Sequence, residues 1–331
     1  MFSWTVIAAT GDRFTSFEPY VPSVNDAGTV AFQAALQDGR TRVFAGSGGT
    51  ADEVAGTAAL AGVTSHPDLN NAGAVSFYGD LTGGGQGVFI LHDGSLQTVA
   101  DTDGAFASIG PLGPTMNESG MVAFRADPAP NMSGVFAGDG GAVVTVADTD
   151  GPWSEFHGLP VVNRGGTVVF RADRKDGVQG IYAFDEGSIR TVVETGDRFE
   201  TLAPFPSISD DGTVAFAATL SGGGEGAFTQ RGDGPPSTHD PDGAFESYRG
   251  ALITSAGQLM WMARPRGGNR GLFAGPDPEA NLILALGDPL LGSEVTDVRS
   301  NPVSVNAVGQ VAIAAVLADG RQLILRADPG D

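Results

Sequence analysis

The chain has 331 residues, and 39 acidic side chains against 18 basic ones give it a net charge of −21, which argues against nucleic acid or an anionic membrane surface as a partner. It has no cysteine, so disulfides and thiolate metal sites are excluded, and no stretch is long and apolar enough to span a membrane as a helix. Its 50 glycines and 20 prolines fall at regular offsets between apolar runs, so they read as turns rather than as disorder.

In chain order the first element is a strand over residues 2–9, Phe-Ser-Trp-Thr-Val-Ile-Ala-Ala. With no basic segment before it, it makes a poor signal peptide. Then a unit begins that recurs seven times. Its marker is Ser23-Val24-Asn25-Asp26-Ala27-Gly28-Thr29-Val30-Ala31-Phe32. The marker glycines are Gly28, Gly73, Gly120, Gly166, Gly212, Gly257 and Gly309, spaced by 45, 47, 46, 46, 45 and 52 residues. Asparagine precedes the glycine by three in five copies, and Ser209 and Thr254 replace it in the other two. Short polar side chains bond turn backbone and glycine tolerates positive φ, so each copy reads as strand, tight turn, strand. Regular self-similarity at this period signals a propeller or a solenoid.

Each unit holds four strands, and the predicted blades cover approximately 15–57, 60–100, 105–147, 153–193, 199–239, 245–286 and 294–327. The seventh lacks its fourth strand at the C-terminal end. Residues 2–14 match the fourth-strand segment 188–199, ending in Thr-Gly-Asp-Arg-Phe in both places. The reading is therefore an all-β, seven-bladed β-propeller forming a single domain over 1–331. Its blades are four-stranded and antiparallel, and residues 2–9 complete the C-terminal blade in a 3+1 closure that leaves no open edge. No segment has a sustained 3.6-residue apolar period, so almost no helix is expected.

The marker Asn-x-x-Gly-x-Val-Ala-Phe resembles the bacterial tandem-repeat family named for its NxxGxxAF motif, across essentially the whole chain, and is similar to the hairpin of TolB-type propeller repeats. The resemblance implies a propeller-like repeat and a secreted or cell-surface setting. It implies no activity that transfers to particular residues.

Function is expected on the face opposite the marker turns, where the copies stop agreeing. Inner-strand residues that break the repeat would line the mouth of the channel: Glu18, His66, Glu200, Glu246 and Arg299 as ligand contacts, and Glu155, His157, Tyr248 and Arg249 as candidates for acid–base work. Glu155 and His157 alternate with Phe156 and should share one side of a strand. Arg264, Arg266 and Arg270 flank one loop of blade six and suit carboxylates. The loops entering blades three, four and six read Asp-x-Asp-Gly, placing Asp101, Asp103, Asp148, Asp150, Asp240 and Asp242 where oxygen ligands for Ca²⁺ could gather, or where each carboxylate caps its own turn. No organic cofactor motif is present, and the four histidines lack zinc spacing.

These features point first to a monomeric propeller that binds a glycan, peptide or anionic small molecule on its top face. An enzyme of lyase, hydrolase or cofactor-free transferase type is the alternative reading, and a structural surface module is the third.

Overall fold

The computed structural model describes residues 2–11, 13–55 and 59–330. Asp12 and the loop Gly56-Thr57-Ala58, both part of the loop pattern read from the sequence, lie outside the described residues. Seven antiparallel sheets follow one another along the chain and form a seven-bladed β-propeller. Blade four is typical, with strands Trp153–Val162, Val168–Arg174, Gln179–Asp185 and Ser188–Glu194 in that spatial order. Among the described residues the only helical element is a three-residue 3₁₀ turn, Pro302–Ser304.

Ring closure follows the expected 3+1 pattern. Phe2–Ala9 pairs antiparallel with Gln322–Pro329, with Phe2 opposite Pro329 and Ala9 opposite Leu323. The blade is completed by Val311–Leu317 and Ser293–Arg299. Joining the two ends of the chain in one sheet removes the edge that an open array would present to other molecules.

The inner strands are less regular than the sequence suggests. In blades one, two, three and five each splits into two short pieces, such as Phe14–Ser16 and Ser23–Val24. The breaks hold prolines (Pro19 and Pro22, Pro67, Pro111 and Pro114, Pro204 and Pro206), which cannot donate to a ladder. Blades four and six keep longer inner strands, Trp153–Val162 and Phe245–Ile253.

The hydrophobic interior is divided into seven clusters, each spanning two neighbouring blades. In four blades the aromatic that opens the unit stands edge-on to an aromatic pair on the next two strands, and in blade four Trp153 is edge-on to Phe170 and tilted against Tyr182. Phe199 meets Phe216 and Phe228 with centroids 5.6 and 4.9 Å away, and Phe245 meets Trp261 and Phe273 at 5.7 and 4.8 Å. Such contacts add about 0.5–1.5 kcal/mol each beyond area burial.

The marker turn works twice over. The seven marker glycines have φ between 76° and 91°, a region that glycine enters freely. In four of the seven copies the asparagine beside the turn caps it and also ties it to the next blade. Asn25 Oδ1 accepts the Thr29 N–H at 3.0 Å while its Nδ2 donates to the Asn70 carbonyl at 3.1 Å. The same double bonding joins Asn117 to Asn163, Asn163 to Ser209, and Asn306 to Asn25. This ring occupies one end of the channel, around a small cavity of about 120 Å³.

Candidate functional site at the channel mouth

At the other end of the inner strands lies a larger cavity of about 500 Å³. Every blade contributes to its wall: Tyr20, His66, Leu112, Leu159, Phe205, Gly250 and Asn301, one from each in chain order, are among the residues lining it. The cavity therefore sits on the pseudo-sevenfold axis. Its wall has two characters. Leu112, Leu159, Pro204 and Phe205 present apolar surface from blades three to five. Blades six and seven present Arg249, Arg270, Asp297 and Arg299.

The charged side is partly paired. Asp297 is shared, 3.0 Å from Arg270 Nη2 and 3.1 Å from Arg299 Nε. Arg299 also meets Glu18 at 2.8 Å. Arg249 is exposed and has no hydrogen-bond or ion-pair partner among the described residues. Three guanidinium groups against the Asp297 and Glu18 carboxylates leave a positive spot on a chain whose net charge is −21. Local field of that kind draws anions whatever the sign of the whole molecule.

His66 closes the wall from blade two. It is 2% exposed, and its Nε2 has no partner. Burial pulls its pKa down to about 4, against the opposing pull of the Pro114 and Leu112 carbonyls, so the ring is neutral at pH 7. A Cβ on Gly113 would stand 2.5 Å from this ring, so only glycine fits beside it. Tyr20, on the same wall, donates its hydroxyl to the Thr64 carbonyl.

The cavity continues outward. Arg249 and Arg270 also line a groove of about 580 Å³ with Ser247, Arg264, Asn269 and Leu286. Arg264 there is paired with Glu246 at 2.6 Å and is more exposed than Arg270 or Arg299. Arg266 turns away, with its Nε donating to the Gly243 carbonyl at 2.6 Å. It therefore meets the loop entering blade six through backbone and not through the Asp240 or Asp242 carboxylate.

Of the remaining candidates, Tyr248 does not reach the cavity. It is 7% exposed, packs against Phe245 and Trp261, and donates its hydroxyl to Asp240 at 2.7 Å. The register explains why: Tyr248 faces the seam with blade five, and its neighbour Arg249 faces the axis. Glu200 is exposed and lines none of these cavities. Glu155 and His157 share a side of their strand, with His157 Nε2 3.9 Å from the Glu155 carboxylate, but they are not among the residues of the mouth cavity.

The acidic turns resolve mainly into caps. Asp148 Oδ1 accepts from the N–H groups of Asp150 and Gly151 at 3.0 and 3.3 Å. Asp240 accepts from Ala244 and Phe245 N–H at 2.9 and 3.0 Å, besides Tyr248. Asp103, Asp150 and Asp242 are exposed, and Asp101 is half-buried. None of these six belongs to a group of three ligand-capable side chains; among the described residues such a group forms only at Glu155, His157 and Asp173. Of the six carboxylates, those of Asp148 and Asp240 are engaged with the backbone of their own turns.

Sequence reasoning missed Asp173 and the apolar half of the cavity. Asp173 is visible as a partner only once strand register sets it opposite Glu155. Leu112, Leu159 and Phe205 look like ordinary core residues in the sequence. Arg171, on the same face as Asp173, is 6% exposed inside a strand, and burial lowers its pKa.

Fold and site together define a β-propeller with a polar, locally basic channel mouth. Residues 5–322 match the model of a family of unknown function, DUF7453, and the chain belongs to that family. The likeness to NxxGxxAF repeats remains one of motif. No match was found among curated proteins. Among solved structures, the chain is similar to an oligogalacturonate lyase in complex with manganese, at 10% identity and TM-score 0.63, covering 100% of this chain and 98% of that one. It is also similar to the oligogalacturonate lyase of Vibrio parahaemolyticus, at 9% identity and TM-score 0.61, covering 100% and 99%. A puromycin-hydrolyzing peptidase of Mycobacterium tuberculosis matches at 16% identity and TM-score 0.62, over 93% of this chain and 50% of its own length. At these identities the likeness is one of fold alone.

Proposed function

We propose that the protein is a binding propeller whose channel mouth takes a small anionic ligand, with the adjoining groove over blade six accepting its continuation. The observation that carries this reading is Arg249, an exposed guanidinium with no partner among the described residues, standing where the mouth cavity and the groove meet. A carboxylate placed there gains a charge-assisted, two-pronged hydrogen bond without first breaking an ion pair. The apolar wall opposite, Leu112, Leu159 and Phe205, offers a surface for the hydrophobic face of a sugar ring or a short apolar chain. The neutral His66 imidazole supplies a buried polar atom to an uncharged hydroxyl. An acidic oligosaccharide combines these features: carboxylates for the arginines, ring faces for the wall, and length for the groove.

The test is a panel of uronic-acid oligosaccharides and size-matched neutral oligosaccharides, measured by calorimetry on the full chain. Acidic members are expected to bind and neutral ones not to, with binding weakened by salt. Equal binding of both sets, or binding untouched by Arg249→Ala, would remove the support for this reading.

An enzymatic reading is favoured by one separate observation, the Glu155, His157 and Asp173 grouping on blade four, which has the residue types of an acid–base or metal centre.

A further inference from the structure

We infer that blade four carries a divalent-metal site made by Glu155, His157 and Asp173, separate from the mouth cavity and independent of what binds there. The site follows from strand register. In the ladder between Trp153–Val162 and Val168–Arg174, Glu155 stands directly opposite Asp173, and His157 directly opposite Arg171. Residues two apart on a strand share a face, so these four side chains form a square on one side of the sheet.

The corner that holds two acids is unusual in this molecule. The corresponding cross-strand pairs in the other blades are Ser16 with Ala35, Gly62 with Asp80, Ser108 with Asp127, Thr201 with Thr219, Ser247 with Arg264, and Asp297 with Val316. Where an acid occurs on the second strand it faces a glycine, or a serine that bonds it: Ser108 Oγ donates to Asp127 at 2.6 Å. Only blade four sets carboxylate against carboxylate. Like charges directly opposed on a ladder destabilise it; the Arg171 guanidinium beside Asp173 offsets part of that cost, and a cation held between the two carboxylates offsets the rest.

The local bonding points to the same conclusion. His157 Nε2 lies 3.1 Å from Asp173 Oδ2, within hydrogen-bond distance, yet it is not aligned for a hydrogen bond and has no other partner. Asp173 Oδ1 lies 3.2 Å from Arg171 Nη1 and is likewise not aligned. Arg171 is 6% exposed, and its Nε is also without an acceptor. Three adjoining side chains thus each hold a buried polar atom without a hydrogen-bond partner among the described residues, and buried polar atoms in native proteins are seldom left so.

The spacing suits a small cation. One ligand atom from each of the three residues lies within 4.8 Å of the others. Metal–ligand distances of about 2.0–2.2 Å put neighbouring ligand atoms roughly 3 Å apart and opposite ones roughly 4.4 Å apart. The 3.1 Å and 3.9 Å separations from His157 fall in that range. Glu155, with its side chain 68% exposed, has the freedom to close the remainder. Arg171 holds the far side of Asp173, the supporting position that orients a ligating carboxylate. One imidazole and two carboxylates favour a first-row divalent ion such as Mn²⁺ or Zn²⁺ over Ca²⁺, which takes six to eight oxygens. Three protein ligands leave positions open on the solvent side.

The test uses Mn²⁺ alone as the probe, on the full chain freed of metal with a chelator and then dialysed. Loss of the free-ion electron paramagnetic resonance signal is expected to show one tight equivalent per chain. His157→Ala and Glu155→Gln are each expected to weaken it at least tenfold, while Asp148→Asn, in an acidic turn, leaves it unchanged. Glu155 is exposed, so its variant keeps the test valid should His157→Ala fail to fold. The proposal is overturned by the absence of any tight equivalent, or by tight binding that survives both blade-four substitutions or disappears with Asp148→Asn.

Discussion

Asn306 donates its side-chain N–H to the backbone carbonyl of Asn25 at 2.7 Å, joining residues 281 positions apart. The same bond recurs between Asn25 and Asn70, Asn117 and Asn163, and Asn163 and Ser209. The marker asparagine is therefore an inter-blade tie as well as a turn cap. Its two functions separate by substitution. Asn163→Ala removes both, leaving the Thr167 N–H without its side-chain acceptor and the buried Ser209 carbonyl with the Gly212 N–H alone, at a cost of about 1–3 kcal/mol. Asn163→Ser should cost less, because serine still caps the turn, as Ser209 does for Thr213. Urea melts of the three proteins order as Asn, Ser, Ala. Equal stability of the Ser and Ala variants would show that the turn cap contributes nothing.

Two titratable groups on one inner strand should give opposing pH effects. His66 has its pKa lowered to about 4, so the neutral ring favours the folded state above the unfolded value near 6.5, and that stability is lost as pH falls toward 4. Asp68, buried at the other end of the channel, has its pKa raised to about 7 by burial, although the Met116 N–H bonds it at 2.7 Å. An acid raised in the fold costs stability progressively as pH rises from about 4 to 7. In Asp68→Asn the His66 slope should stand alone, with stability rising steadily from pH 4 to 6.5. The variant should be more stable than wild type above pH 7, by an amount on the order of a few kcal/mol, and no different below pH 4. Thermal melts across that range are the measurement; a constant offset at every pH would contradict it.

Arg249→Ala should weaken binding of an acidic oligosaccharide about 10- to 100-fold, the value of a charge-assisted bond of roughly 1.5–3 kcal/mol, without altering the melting temperature, since Arg249 bonds nothing in the free protein. Arg299→Ala should lower both, because Arg299 holds Glu18 and Asp297. Calorimetry and thermal melts on the same samples distinguish the two.

Removing residues 1–9 strips the closing strand from Gln322–Pro329 and uncovers Ile7's place in the seam with blade one. An open edge and a half-empty seam should yield a protein that associates or melts in more than one step. A truncated chain that remains monomeric with a single sharp transition would mean that three strands suffice for blade seven.

The repeat made the architecture readable. Seven glycines at near-constant spacing, each beside a short polar residue and an apolar run, require a turn in the same place seven times, and the match between residues 2–14 and 188–199 places the closing strand. Those signals are local, so they survive in one dimension. The mouth cavity was legible only in part: Arg249, Arg270, Arg299 and His66 break the repeat and can be picked out, whereas Tyr248, one position from Arg249, breaks it equally and turns into a seam. Alternation along a strand sets which neighbours differ in direction but not which of them faces the axis; blade packing decides that. Asp173 is invisible for the same reason, since its distance from Glu155 is a matter of cross-strand register. The number of blades, their turns and their closure follow from periodicity and backbone chemistry, which one dimension carries in full. Which irregular residues meet is settled in three dimensions, because contacts across strands and around a ring depend on register and inward direction, which no spacing in the chain encodes.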